Sequence, residues 1–178
     1  MSRAVLISIR PEWVDKIIAG EKTVEIRKTR PNLGTPFKCY MYETQGKSDI
    51  PWIDEDGHMI FRGRGKVVAE FICMGIDEIK PIEDDLYGIY DIDDDYVRKT
   101  CLEDGAMWAY GNGQTLYGWH ISNLKIYDTP KELSKFSRPF ENCIGKTCDE
   151  FGCALCENGG HIKRPPQSWC YVEELGNG

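Results

Sequence analysis

Residues 4–27 constrain the fold more than any other part of the sequence, because two strands and a helix are punctuated there within a short length of chain. Residues 4–9 (AVLISI) are apolar and β-branched, which suits a strand buried on both faces. Pro11 follows where proline is tolerated, in the first turn of a helix predicted over 11–19, and Val14, Ile17 and Ile18 fall on one stripe of it. Gly20 is a natural stop. In Gly20-Glu21-Lys22-Thr23-Val24-Glu25-Ile26-Arg27, Val24 and Ile26 alternate with Thr23, Glu25 and Arg27. A strand of period two sends the apolar pair to a core and the polar set to the other face, with Lys22 at the strand's mouth. Read from the residues alone, Lys22, Glu25 and Arg27 form either a solvated face with cross-strand ion pairs or a charged site at one sheet edge.

Leu6-Ile7-Ser8-Ile9-Arg10-Pro11, followed by the run from Gly20 to Arg27, closely resembles the ASCH domain, whose signature G-x-K-x-x-E-x-R follows a first strand and helix. Every signature position matches. The resemblance covers roughly residues 3–130 and the last strand. It implies an α+β fold, a PUA-like β-barrel with peripheral helices, and a cleft beside the motif that binds RNA or a modified nucleoside. Some small bacterial members are similar in motif but act as amidohydrolases on N4-acetylcytidine, and they carry Thr where this chain has Glu25. That departure speaks against a threonine nucleophile here.

The apolar share of 41% is ordinary for a globular protein, and the length suits a single domain over residues 1–178. No run approaches the roughly eighteen apolar residues of a membrane span. Met1-Ser2-Arg3 leads directly into a strand and lacks the features of a signal peptide, so a cytoplasmic location is expected. The formal net charge of −7 argues against coating long nucleic acid by phosphate neutralisation alone. The charge is uneven, however. Lys22, Arg27, Lys28, Arg30 and Lys38 face the lone acid Glu25 between positions 22 and 38, whereas residues 77–104 are crowded with Asp and Glu. A basic rim beside an acidic flank would admit one phosphate or nucleotide and reject extended duplex; the plain alternative is two solvated faces.

Further along, 37–43 reads as a half-buried strand, and 45–57 as a polar excursion ending in a hairpin turn at Asp56-Gly57. Residues 66–74 form a second strong strand with Glu70 inside it, an acid that must face solvent, find a partner or line a cleft. A helix is predicted over 91–103. Its Asp91, Asp93, Asp95 spacing fails as a calcium loop, since Tyr96 and Leu102 stand where Gly and Glu are needed. Asn112-Gly113 predicts a hairpin between 106–110 and 115–127, with Trp108 and Trp119 as core residues or base-stacking platforms. Thr129 and Pro130 predict the cap and first position of a short helix reaching Phe136. Pro165-Pro166 delivers a final strand over 168–173, whose Ser168 and Trp169 either line the cleft or plug the barrel's end.

Four of the eight cysteines, Cys143, Cys148, Cys153 and Cys156, fall with His161 in a cysteine-rich insert over 140–164 that has few apolar residues. Clustered thiolates without a core point to structural zinc, with His161 as an alternative ligand. Cys153-x-x-Cys156 has knuckle spacing, while Cys143-x4-Cys148 is wider. Free thiols, disulfides and an iron–sulfur cluster are the competing readings. Cys39 and Cys73 lie on strands and read as small core residues.

The leading expectation is an RNA- or nucleotide-binding domain using Ser8, Arg10, Lys22, Glu25, Arg27, Lys28, Trp119, Ser168 and Trp169. Lys22 and Arg27 would hold phosphate or polarise a carbonyl, and Glu25 would accept from an exocyclic amine. The rival is an amide hydrolase of a modified nucleoside, with Glu25 as general base, Lys22 as oxyanion donor and Glu70 or Glu103 as a further acid. A third reading is a protein-interaction adaptor that works through the cysteine loop and the acidic helix.

Overall fold

Pro11 and Gly20 act where their chemistry places them. The computed structural model describes residues 2–53, 59–82, 89–139 and 160–176, in which the chain runs β1 (Arg3–Ile9), α1 (Pro11–Ile18), β2 (Val24–Arg27), β3 (Phe37–Glu43), β4 (Lys47–Ile53), β5 (Met59–Arg62), β6 (Val67–Ile79), α2 (Asp94–Thr100), α3 (Asp104–Gly111), β7 (Leu116–Lys131) and β8 (Trp169–Glu173). From Ala4 onward β1 is buried at every position, as its unbroken apolar run requires. Gly20 has φ +75°, which a side chain would resist, and it turns the helix end so that the Glu21 and Lys22 N–H groups both donate to the Lys16 carbonyl.

The described strands form an open six-stranded sheet in the order β2-β7-β6-β3-β1-β8, and β4 pairs with β5 in a separate two-stranded sheet. They do not close the barrel that the family resemblance implies. β1 lies parallel to β3, with Val5 opposite Cys39, and antiparallel to β8, with Ile7 opposite Trp169. β2 lies antiparallel to β7, setting Glu25 opposite Trp119 and Arg27 opposite Tyr117. No helix among the described residues is long and apolar enough to cross a membrane.

The chain divides into two compact units. The described residues of Met1–Pro11, Lys38–Glu70 and Lys125–Gly178 make the first, whose core gathers Leu6, Tyr40, Tyr42, Val67, Phe136 and Val172. Those of Glu12–Phe37 and Phe71–Leu124 make the second, whose core gathers Val24, Ile26, Ile79, Tyr90, Met107 and Leu116.

Three sequence-based expectations are corrected. Asn112-Gly113 does not close a hairpin; Asn112 sits in the left-handed region at φ 51° as the C-cap of α3, its N–H donating to the Trp108 carbonyl. Hairpin turns and helix C-caps need the same positive φ, and Ala106, Met107 and Ala109 are good helix formers. Pro130 does not open a helix but lies near the end of the long strand β7, since its fixed φ also suits extended chain; only a 3-10 turn, Leu133–Lys135, follows. The acidic helix starts later than position 91. Asp93 is its N-cap, with Oδ1 accepting the Tyr96 N–H at 2.7 Å.

Candidate functional site

The Gly20 turn and β2 together place Lys22, Glu25 and Arg27 in one charged constellation within the second unit. Lys22 backs onto α2: the Thr23 N–H donates to the Lys99 carbonyl at 2.9 Å, and Lys22 Nζ donates to the Thr100 carbonyl at 2.5 Å. The same ammonium lies 3.4 Å from Glu25 Oε2 and 5.2 Å from the centroid of the Trp13 ring. On the other side Arg27 Nη2 lies 2.9 Å from Glu25 Oε1. One carboxylate is thus held between two cations.

All three residues are withdrawn from water, with Lys22 2% exposed, Glu25 6% and Arg27 8%. The reading of this run as a solvated strand face is therefore corrected. Trp13 of α1 and Thr100 at the end of α2 lie against Lys22, which the strand pattern left at its open mouth. Ionic groups in such a place cost several kcal/mol each in lost hydration, so their geometry must return that energy through mutual pairing. Burial pushes the Lys22 ammonium below its ordinary pKa, and Glu25 opposes the shift.

Beyond Arg27 the basic residues sit on aromatic rings. The ammonium of Lys28 stands 5.0 Å from the Tyr110 centroid, and the guanidinium of Arg30 stands 5.7 Å from that of Tyr117. Loop 30–35 and Ile76 line a cavity of about 400 Å³. Nearby in sequence, Asp77 accepts at 2.6 Å from His120 on β7, a pair that nothing in the linear order of residues announces. Trp13, Thr100 and Tyr117 were likewise missed. Only the register of β2 on β7 and the packing of both helices reveal them, although pairing Arg27 with its cross-strand neighbour would have found Tyr117.

The remaining expected site residues are distributed as follows. Trp119 is fully buried and presents its ring edgewise to Phe37, with centroids 5.8 Å apart; it is a core residue, and its expected role as a stacking platform is corrected. Ser8, Arg10, Ser168 and Trp169 belong to the first unit. There the Ser8 N–H donates to the Ser168 carbonyl at 2.9 Å and the Ser8 hydroxyl to the Pro166 carbonyl at 2.7 Å. Arg10 is exposed, and Trp169 is half-buried with its ring edge toward Tyr171.

Glu70, also in the first unit, is half-buried, accepts from the Tyr127 hydroxyl at 2.6 Å and lies 4.0 Å from Lys38 Nζ, so it has found partners instead of solvent. Glu103 is exposed at the N-cap of α3 and makes no side-chain capping bond. His161 is exposed, its Nδ1 3.1 Å from the Ser137 hydroxyl. Cys143, Cys148, Cys153 and Cys156 lie outside the described residues, among which no group of three or more His, Cys, Asp and Glu could hold a metal. Cys39 and Cys73 are buried on their strands as expected.

The family model of the ASCH domain matches residues 7–82. Among solved structures, that of ASCH from Zymomonas mobilis superposes with a TM-score of 0.57 at 17% identity, over 96% of this chain and 88% of that one. Two point mutants of that Zymomonas mobilis protein match with a TM-score of 0.55, at 16% and 15% identity, over 96% of this chain and 89% and 91% of theirs. At such identities the likeness is one of fold. None of the curated proteins matches the chain.

Proposed function

The chain carries an ASCH domain, and from that premise we propose that it binds single-stranded RNA or a nucleotide at the constellation of Lys22, Glu25 and Arg27. The observation that supports this reading is the Glu25 carboxylate gripped by Lys22 and Arg27 with all three buried. Lys22 and Arg27 bring charge-assisted donors to one spot, which suits a phosphate or a polarised base carbonyl. Glu25 supplies the complementary acceptor for an exocyclic amine. Because Trp119 is enclosed, the stacking surface falls to Trp13 or Tyr117.

A hydrolytic reading has one observation in its favour, the burial that shifts Lys22 toward a neutral amine. Against it, both oxygens of the general base it needs, Glu25, already face cations. The proposal also includes a structural zinc held by Cys143, Cys148, Cys153 and Cys156, with His161 as a substitute ligand.

The test is a thermal-shift and mass-spectrometric screen against modified and unmodified nucleosides, nucleotides and short RNAs, with metal content measured on the same sample. Stabilisation by a ligand of unchanged mass, lost in a folded Lys22→Ala variant, is the expected result. A ligand that changes mass would establish the hydrolase. Stabilisation that survives Lys22→Ala would remove the constellation from the binding site, and a metal-free sample would remove the zinc.

A further inference from the structure

Loop 30–35 connects β2 to β3 and has no part in the constellation just described. Its sequence Arg30-Pro31-Asn32-Leu33-Gly34-Thr35 brings one cation, one amide and one hydroxyl to a cavity that the half-buried Ile76 also lines. The volume of about 400 Å³ lies in the range of pockets that accept small organic ligands, roughly 300–1,000 Å³. Pro31 is buried and anchors the loop's start, while Arg30, Asn32 and Thr35 are exposed.

Two independent features give this pocket a preferred ligand. Charge is the first: the protein carries a formal net charge of −7, yet no Asp or Glu occurs between Glu25 and Glu43, a stretch that contains Arg27, Lys28 and Arg30. In an acidic protein such a stretch is a local attractor for anions. Aromatic contact is the second. Arg30 stacks over Tyr117 and Lys28 over Tyr110, so each exposed cation stands beside a ring. A guanidinium lying on a ring keeps its N–H fork turned sideways, free in direction for a bidentate phosphate contact, and the ring supplies a platform for a base.

Distance completes the case. Arg27 and Arg30 are three residues apart, so their Cα atoms lie at most about 11 Å from one another even in fully extended chain. A span of that size is short enough for side chains at the two positions to reach successive nucleotides of one strand. We propose that loop 30–35 with Ile76, Lys28 and Arg30 forms a second subsite, which holds the phosphate and base of the nucleotide next to the one at Lys22, Glu25 and Arg27. The ligand is thereby a single-stranded oligonucleotide rather than a free nucleotide. This assignment rests on the proposed binding at Lys22 but makes a separate demand of the molecule.

The experiment measures binding of a short labelled mixed-sequence RNA and of the standard nucleoside monophosphates to the full chain. Wild type, Arg30→Gln, Arg30→Lys, Lys28→Gln and Lys22→Ala are compared, with circular dichroism reporting the fold of each. Wild type should bind the RNA more tightly than any monophosphate. Arg30→Gln should weaken the RNA by about tenfold, the loss of one charge-assisted contact, while leaving monophosphate binding within about twofold. Arg30→Lys should recover only part of the loss, because an ammonium has neither the fork nor the planar stack. Equal weakening of both ligands by Arg30→Gln would place Arg30 in the first site and overturn the second. Equal affinity of wild type for RNA and monophosphate would overturn it while sparing the Lys22 site. RNA binding that Arg30→Gln weakens but Lys22→Ala leaves intact would keep the loop subsite and sink the Lys22 reading. No binding of either ligand would overturn both.

Discussion

Lys22 gives up nearly all contact with water, and what replaces it is a carbonyl, a carboxylate and a ring face. Its pKa is lowered, first by desolvation, so at pH values between the folded and unfolded pKa the unfolded chain binds more protons than the folded one. Stability contributed by Lys22 therefore rises with pH across that window and levels off above the unfolded value. Two half-buried tyrosines act in the opposite sense. Tyr96 and Tyr127 have raised pKa values, so they lose stability as the pH climbs. The difference between wild type and Lys22→Met isolates the lysine. Urea unfolding from neutral to alkaline pH should show this difference shifting in favour of wild type as the pH rises, and a flat difference would mean that Lys22 is not desolvated. Glu25→Gln strips the only carboxylate seen between the two cations, and about 3–5 kcal/mol of destabilisation follows in the same assay. Lys22→Met leaves Glu25 paired with Arg27 and should cost less. At this scale the sequence reveals the identities of the trio through their spacing. It hides their burial, because contacts such as those of Trp13 and Thr100 with Lys22 come from other elements, which no two-residue period can report.

Elements were legible where punctuation was unambiguous. Pro11 can only begin a helix in its setting and Gly20 only end one, so β1, α1 and β2 follow almost residue for residue. Asn112 and Pro130 are each compatible with two structures, and there distant pairing decided: β7 extends through Pro130, and the segment before Asn112 coils to bury Met107. The packing of α2 on β7 is sensitive to one glycine. A Cβ at Gly118 would meet Tyr96 Oη at 1.8 Å and Val24 Cγ1 at 3.1 Å, on a strand position paired with Ile26. Gly118→Ala should accordingly destabilise by about 1–3 kcal/mol, the usual range for overpacking. Removing the hydroxyl should restore part of that loss, so Gly118→Ala combined with Tyr96→Phe should melt above Gly118→Ala alone. A double-mutant cycle read by thermal unfolding checks the coupling; strict additivity would show that Tyr96 does not press on the strand. The N-cap is a milder lever on the same helix. Asp93→Ala should cost about 1 kcal/mol, and it loosens the helix whose last carbonyl holds Lys22.

For the whole molecule the decisive quantity is where charge sits, since the formal net value of −7 repels polyanions while the proposed subsite offers one the exposed cations Lys28 and Arg30. Sequence alone showed this asymmetry, because it is a property of order and count. It could not show that two acids of residues 91–104 are spent locally. Asp93 caps α2, and Asp95 pairs with Lys99 at 2.6 Å and Arg98 at 3.2 Å, which makes that flank a solvated helix surface with its own cations. The repulsion is then diffuse and screened by salt, whereas the attraction is short-ranged and concentrated on a few phosphates. A protein built this way should show weak salt dependence in RNA binding. Two or three neutralised phosphates on a single strand correspond to a slope of log affinity against log salt of about −1.4 to −2.1, at about 0.7 per phosphate. Lys28→Gln and Arg30→Gln should each flatten the slope by about 0.7, while duplex RNA of the same length should bind weakly at every salt concentration. Fluorescence anisotropy over a salt series measures all of these. A slope steeper than about −4 would require a longer electrostatic track and would show that the acidic surface does not confine recognition to the neighbourhood of β2.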